Sequence, residues 1–116
     1  IIRDALTYRK VTLHTALDSV KDYISVESVI TGLLDIVFHG RERIYNIASG
    51  RNISNKQLSE GISRLTGAVF EVVPNAPTSA FPPISISRMQ QEFNFEPSDL
   101  IDDLDRLIQT FRERHP

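Results

Sequence analysis

The chain contains no cysteine. That excludes disulfides, thiolate metal sites and a cysteine nucleophile, and it suits a reducing compartment, so a cytoplasmic location is expected. No apolar run approaches the roughly 18 residues that a membrane-spanning helix needs, and no membrane partner is expected. Charge of one sign is lacking too: 13 Lys and Arg stand against 15 Asp and Glu, interspersed, for a net charge of −2. That balance leaves no basic face for nucleic acid. The histidines His14, His39 and His115 are isolated, without HxxxH or HExxH spacing, so no zinc site is expected. Asp99, Asp102, Asp103 and Asp105 have no glycine among them and fall on a helical pattern. They read as a solvated face and not as a calcium loop.

What is present is ordinary for a folded soluble chain. At 116 residues, with 41% hydrophobic and 24% charged residues, the sequence suffices for one domain spanning 1–116 with a small core. It starts at Ile1-Ile2-Arg3-Asp4, neither a methionine nor a leader sequence, and is read as a piece cut from a longer protein.

The hydrophobic pattern predicts a short helix over 1–9, then a strand at Val11–His14 that turns through Thr15–Ser19 into a partner strand at Val20–Ile24, a small hairpin. From Val26 the period becomes helical, with Val26, Val29, Ile30, Leu33, Leu34 and Val37 on one wide face. Ile36 and Phe38 widen that face, which predicts a helix buried on more than one side, capped by Ser25 and stopped at Gly40. A strand is expected at Arg43–Ala48 and a positive-φ turn at Gly50. Ser54 and Gln57 form a capping box opening a helix with Leu58, Ile62 and Leu65 inward and Gly67 as its stop. Ala68–Val73 reads as a strand. The proline-rich loop 74–83 follows, then a short helix with Ser87 and Gln90 as a second capping box. A last helix carries Leu100, Leu104, Leu107, Ile108 and Phe111, acidic at its start and basic at its end, as the helix dipole favours.

Two blocks carry identity: Lys21-Asp22-Tyr23-Ile24-Ser25-Val26-Glu27-Ser28-Val29 and Tyr45-Asn46-Ile47-Ala48-Ser49-Gly50. Their order and content resemble the C-terminal region of the extended short-chain dehydrogenase/reductases, the NAD-dependent epimerase/dehydratase family. There the pattern is close to Arg-Asp-Tyr/Phe-Ile/Val-x-Val-x-Asp-Val followed by Tyr-Asn-Ile/Val-Gly/Ala-x-Gly. The resemblance runs from about Ile2 to Arg114. It implies an α/β fold (α+β for this chain taken alone), with the hairpin, the buried helix and short parallel strands with helices forming the C-terminal, substrate-binding part of a Rossmann-type enzyme.

Read from the residues alone, Lys21 is either a cation beside a cleft, able to hold a phosphate or carboxylate, or a solvated strand-end lysine. The resemblance puts it where the family's arginine contacts the diphosphate of a nucleotide sugar. Lysine keeps that charge and loses the bidentate fork. Asp22 and Tyr23 are expected to shape the strand, and Asn46 to satisfy backbone. Glu27 and Ser28 start the helix, where a carboxylate stays ionised and makes a poor general acid. Arg51 is a candidate for a substrate or interface charge, or a solvent-exposed arginine. Phe81 offers an apolar wall or a stacking face, or covers the core. Arg88 and Ser87 match the family's basic residue and serine at the start of that helix. The family's nucleotide-gripping loop arginine has no counterpart here.

No G-x-x-G-x-x-G turn occurs, and none of Tyr8, Tyr23 and Tyr45 is followed by lysine four residues on. The family's general acid/base pair and its dinucleotide turn therefore lie outside this chain. A full βαβ unit opening on glycines would be needed to hold a dinucleotide. The resemblance thus implies NAD or NADP in a full-length parent and none bound by this chain, with no catalytic residue of its own. The expected partners are a sugar or nucleotide sugar and the parent's own Rossmann domain. Self-association of the isolated chain is also expected, through apolar surface that domain would cover. The alternative is a stand-alone α/β docking module without catalysis.

Overall fold

The computed structural model describes residues 1–116 as five helices and four short strands. In chain order these are α1 (Ile2–Tyr8), β1 (Lys10–Leu13), β2 (Val20–Asp22), α2 (Val26–His39), β3 (Asn52–Ser54), α3 (Asn55–Thr66), β4 (Val69–Val72), α4 (Ser87–Phe93) and α5 (Leu100–Arg114). The strands pair as two separate two-stranded sheets, β1 with β4 and β2 with β3. The first is parallel, with Lys10 opposite Val69 and Leu13 opposite Val72. No helix is long and apolar enough to cross a membrane.

The hairpin expected of β1 and β2 does not form. After β1 the hydrogen bonds of the turn go elsewhere: the Ala16 amide donates to Pro77 O and the Val20 amide to Ser79 O, with an isolated parallel bridge between Val20 and Ala80. Alternation of apolar and polar residues fixes which face of a strand is buried; it carries no information about the partner. A parallel partner must also arrive by a long crossover.

The chain divides into two compact units. One comprises residues 1–20, 53–80 and 101–116. Its buried residues include Ala5, Val11, Leu13, Leu58, Ile62, Ala68, Leu104 and Ile108. Here α3 has the predicted start: Ser54 Oγ accepts from the Gln57 amide while Gln57 Oε1 accepts from the Ser54 amide, satisfying two amides that lack helical partners. Gly67, at φ 75°, ends the helix in the left-handed region, as expected.

The second unit comprises residues 21–52 and 81–100. Its core is Ala48, Ile86, Met89 and Phe95, with Ile24, Ile36, Tyr45, Ile47 and Phe93 packed against it. α2 starts where Ser25 Oγ accepts from the Ser28 amide. It ends at Gly40, which is extended (φ −68°) and not left-handed; an added Cβ there would lie 2.5 Å from Ile36 O.

The burial expected of α2 is not observed. Its one fully buried residue is Gly32, while Val26, Ile30, Leu33, Leu34, Val37 and Phe38 are exposed, Val37 and Phe38 by 73% and 71%. A helix whose eight apolar side chains spread over so wide a face does not reveal which stripe its own unit covers. The side that packs is the one with least side chain: a Cβ at Gly32 would approach Phe95, Met89 and Ile47 at 3.2–3.4 Å.

Two further expectations are corrected. Residues 43–48 are not a strand. Side chains hold them instead: the Tyr45 hydroxyl accepts from the Arg41 and Glu42 amides and donates to Glu92, and Asn46 Nδ2 donates to Ser85 O. α4 has Ile86 as its N-cap without a side-chain bond, so Ser87 and Gln90 make no capping box. The Ser87 amide donates to Ser85 Oγ, which takes that role from one residue outside the helix.

The two faces of α2 predict opposite responses in urea denaturation. Gly32→Val should lower stability by about 1–3 kcal/mol through overpacking. Leu33→Glu, on the exposed stripe, should change it by less than about 0.5 kcal/mol at concentrations low enough to keep the chain monomeric.

Candidate functional site

The candidate site lies in the second unit and is organised by one carboxylate. Asp22 Oδ1 accepts from the Ser49 amide and Oδ2 from the Gly50 amide, both at 2.8 Å. Two short charge-assisted bonds from one rigid group fix the turn in position and orientation. Gly50 is needed there for two reasons: its φ is 77°, and a Cβ would sit 3.0 Å from the Ile86 side chain. Ser49 Oγ accepts from the Arg51 amide and donates to Arg51 O, closing the turn on itself. The role expected for Asp22 was strand shape; its work is to bind a turn 27 residues further on. The signal available in the sequence was an acid placed ahead of a Ser-Gly pair, donors that an ionised carboxylate matches.

Three surface concavities surround the segment Pro83–Ser85, and Ser85 lines all of them. The first, about 620 Å³, holds Lys21 and Phe81 together with Pro82, Pro83 and Ile84. It is a mainly apolar chamber with one cation at its edge. The Lys21 ammonium sits 5.0 Å from the centre of the Tyr23 ring, a contact that favours one direction for an otherwise mobile side chain. Asp22 also lines this chamber, with both oxygens engaged by the turn amides. Lys21 is in none of the chain's ion pairs Arg3–Asp4, Lys10–Glu71, Arg51–Asp99 and Arg106–Asp103. Asn52 Nδ2 donates to Phe81 O at 2.7 Å and holds the backbone of the Phe81 wall.

The other two candidates are placed elsewhere. Arg51 lines the second concavity, about 630 Å³, and pairs with Asp99 at 3.5 Å. Arg88 lines the third, about 500 Å³, with Glu42 and Glu92, and its Nη1 donates to Ile44 O at 2.7 Å. Arg88 thus braces the 41–46 segment. Of the four candidates the structure brings together Lys21 and Phe81; Arg51 and Arg88 lie in adjoining concavities. Asn46, expected to satisfy backbone, does so at Ser85 O and adds to the wall that all three share.

The Ser49–Gly50 turn does not suit a dinucleotide pyrophosphate, because both of its amides are already taken by Asp22.

No family model matches the sequence, and no curated protein matches it. Solved structures do. The chain superposes on dTDP-glucose 4,6-dehydratase from Bacillus anthracis in complex with NAD with a TM-score of 0.82 at 23% identity, covering 97% of this chain and 37% of that one. MoeE5 in complex with UDP-glucuronic acid and NAD gives 0.76 at 19%, covering 97% and 40%. The Bordetella bronchiseptica enzyme WbmF in complex with NAD+ and UDP gives 0.75 at 31%, covering 93% and 33%.

Replacing the carboxylate tests this organisation. Asp22→Ala should cost about 2–4 kcal/mol in chemical denaturation, since it strands two part-buried amides. Asp22→Asn, which keeps one acceptor, should cost less. Equal stability of all three proteins contradicts the clamp. The chain spans 33–40% of the length of these matched structures and carries the α/β fold of the corresponding region of these NAD-complexed proteins.

Proposed function

We propose that this chain is the substrate-binding part of an NAD(P)-dependent nucleotide-sugar epimerase or dehydratase of the extended short-chain dehydrogenase/reductase family, acting in the cytoplasm. The observation that carries the reading is the chamber between Lys21 and Phe81, in a fold shared with enzymes solved with UDP or UDP-glucuronic acid. Lys21 supplies a point charge for the diphosphate. Phe81, with Pro82, Pro83 and Ile84, supplies an apolar wall for the nucleoside. Asp22 positions the neighbouring turn. Arg51 and Arg88 reach the ligand only if Asp99 and the Ile44 carbonyl release them, which ranks them below Lys21. The cofactor, the general acid/base pair and the reaction belong to the remainder of the parent, whose Rossmann domain also covers the exposed stripe of α2.

The binding of UDP-glucose to the 116-residue chain, measured by isothermal titration calorimetry, tests this. Lys21→Gln should weaken it about tenfold, a loss of about 1.4 kcal/mol, while NAD gives no heat at micromolar concentration. Unchanged affinity in Lys21→Gln removes the lysine from the site, and micromolar NAD binding contradicts the division of labour.

The stand-alone docking module is the second reading, favoured by the exposed stripe itself. Val26, Ile30, Leu33 and Val37 are spaced 4, 3 and 4 residues apart, the repeat of a coiled-coil seam. Without a covering domain the chain should self-associate through this stripe. Sedimentation equilibrium should show dimers or larger species at high concentration that Leu33→Glu converts to monomer; a monomeric wild-type chain argues against the proposed interface.

A further inference from the structure

We infer that the first unit carries an anion site suited to a phosphate group, built by Arg9 and Arg112 across a concavity that shares no residue with the Lys21 chamber. The concavity, about 580 Å³, gathers Arg3, Arg9, Phe111, Arg112 and His115 from the two ends of the sequence. Arg3 is already paired with Asp4 at 3.2 Å. Arg9 and Arg112 have no carboxylate partner, whereas Lys10, next to Arg9, is paired with Glu71 at 2.9 Å. Two guanidiniums, planar and weakly hydrated, are matched to the oxygens of a phosphate. The His115 ring stacks on Phe111 at 4.4 Å between centroids, which holds it at the same rim.

A simpler account is that basic residues near helix C-termini answer the carbonyl dipole. It covers Arg112 and His115 at the end of α5 and does not explain where Arg9 sits. Five residues of the chain have positive φ: Gly50, Gly67, Asn75, Asn94 and Arg9. Four are glycine or asparagine, the types that region favours; the exception is Arg9 at φ 55°, ψ 20°, in the C-cap of α1. The Val69 amide donates to Arg9 O, locking that backbone to the start of β4. An arginine held where glycine is easier points to a use for its side chain.

The test uses the 116-residue chain, with inorganic phosphate and pyrophosphate as probes and sodium chloride at matched ionic strength as control, read by NMR of the arginine Nε–H resonances. The Arg9 and Arg112 signals should shift saturably with phosphate or pyrophosphate and not with chloride, and Lys21→Gln should leave the response intact. Saturation by pyrophosphate alone identifies the ligand as a diphosphate; equal response to both identifies a single phosphoryl group. Arg112→Gln should weaken binding at least about tenfold. Arg9→Gly should weaken it as much while leaving Tm unchanged or higher, because glycine relieves the left-handed backbone. Non-saturable shifts, an equal response to chloride, retained binding in either arginine variant, or a lower Tm for Arg9→Gly overturn the proposal.

Discussion

The second unit depends on a single carboxylate holding two backbone amides. Asp22 stands at the end of β2, and its oxygens fix Ser49 and Gly50 at 2.8 Å. Everything proposed for the site follows from where that puts its neighbours. The turn carries Gly50 against Ile86, so the start of α4 and the Pro83–Ser85 wall are set by the same contact. With its acid neighbour occupied, Lys21 is left as the available cation of an otherwise apolar chamber. A carboxylate used in this way is structural.

α2 shows the complementary constraint. A unit of about 50 residues cannot bury a 14-residue apolar helix on all sides. It covers the stripe through Gly32, where the lack of a side chain lets Phe95 and Met89 approach, and leaves the larger side chains outside. Such a helix is under-partnered in isolation. The chain covers 33–40% of the length of the structures it matches, and the partner proposed for this stripe is the parent's Rossmann domain.

Local chemistry was legible in the sequence and long-range pairing was not. The Ser54–Gln57 capping box, the Ser25 cap, and the left-handed Gly50 and Gly67 were all readable, because each is decided within a few residues. The β1–β2 hairpin failed because the pattern of Val11–His14 suits any sheet, and its partner β4 lies more than 50 residues on. The strand expected at 43–48 failed because Tyr45 and Asn46 bond the backbone with their side chains, a choice that alternation does not display. Of the candidate residues read from the sequence, Lys21 and Phe81 line one chamber. The clamp on which they depend was missed, since nothing local says that Asp22 will reach Ser49.

Hydrogen–deuterium exchange at the Ser49 and Gly50 amides tests the clamp most directly, because both are loop amides whose protection rests on the Asp22 carboxylate. The account predicts exchange slowed about a hundredfold or more relative to an unstructured peptide, with that protection lost selectively in Asp22→Ala. Exchange within about threefold of the unstructured rate in the wild-type chain would contradict it.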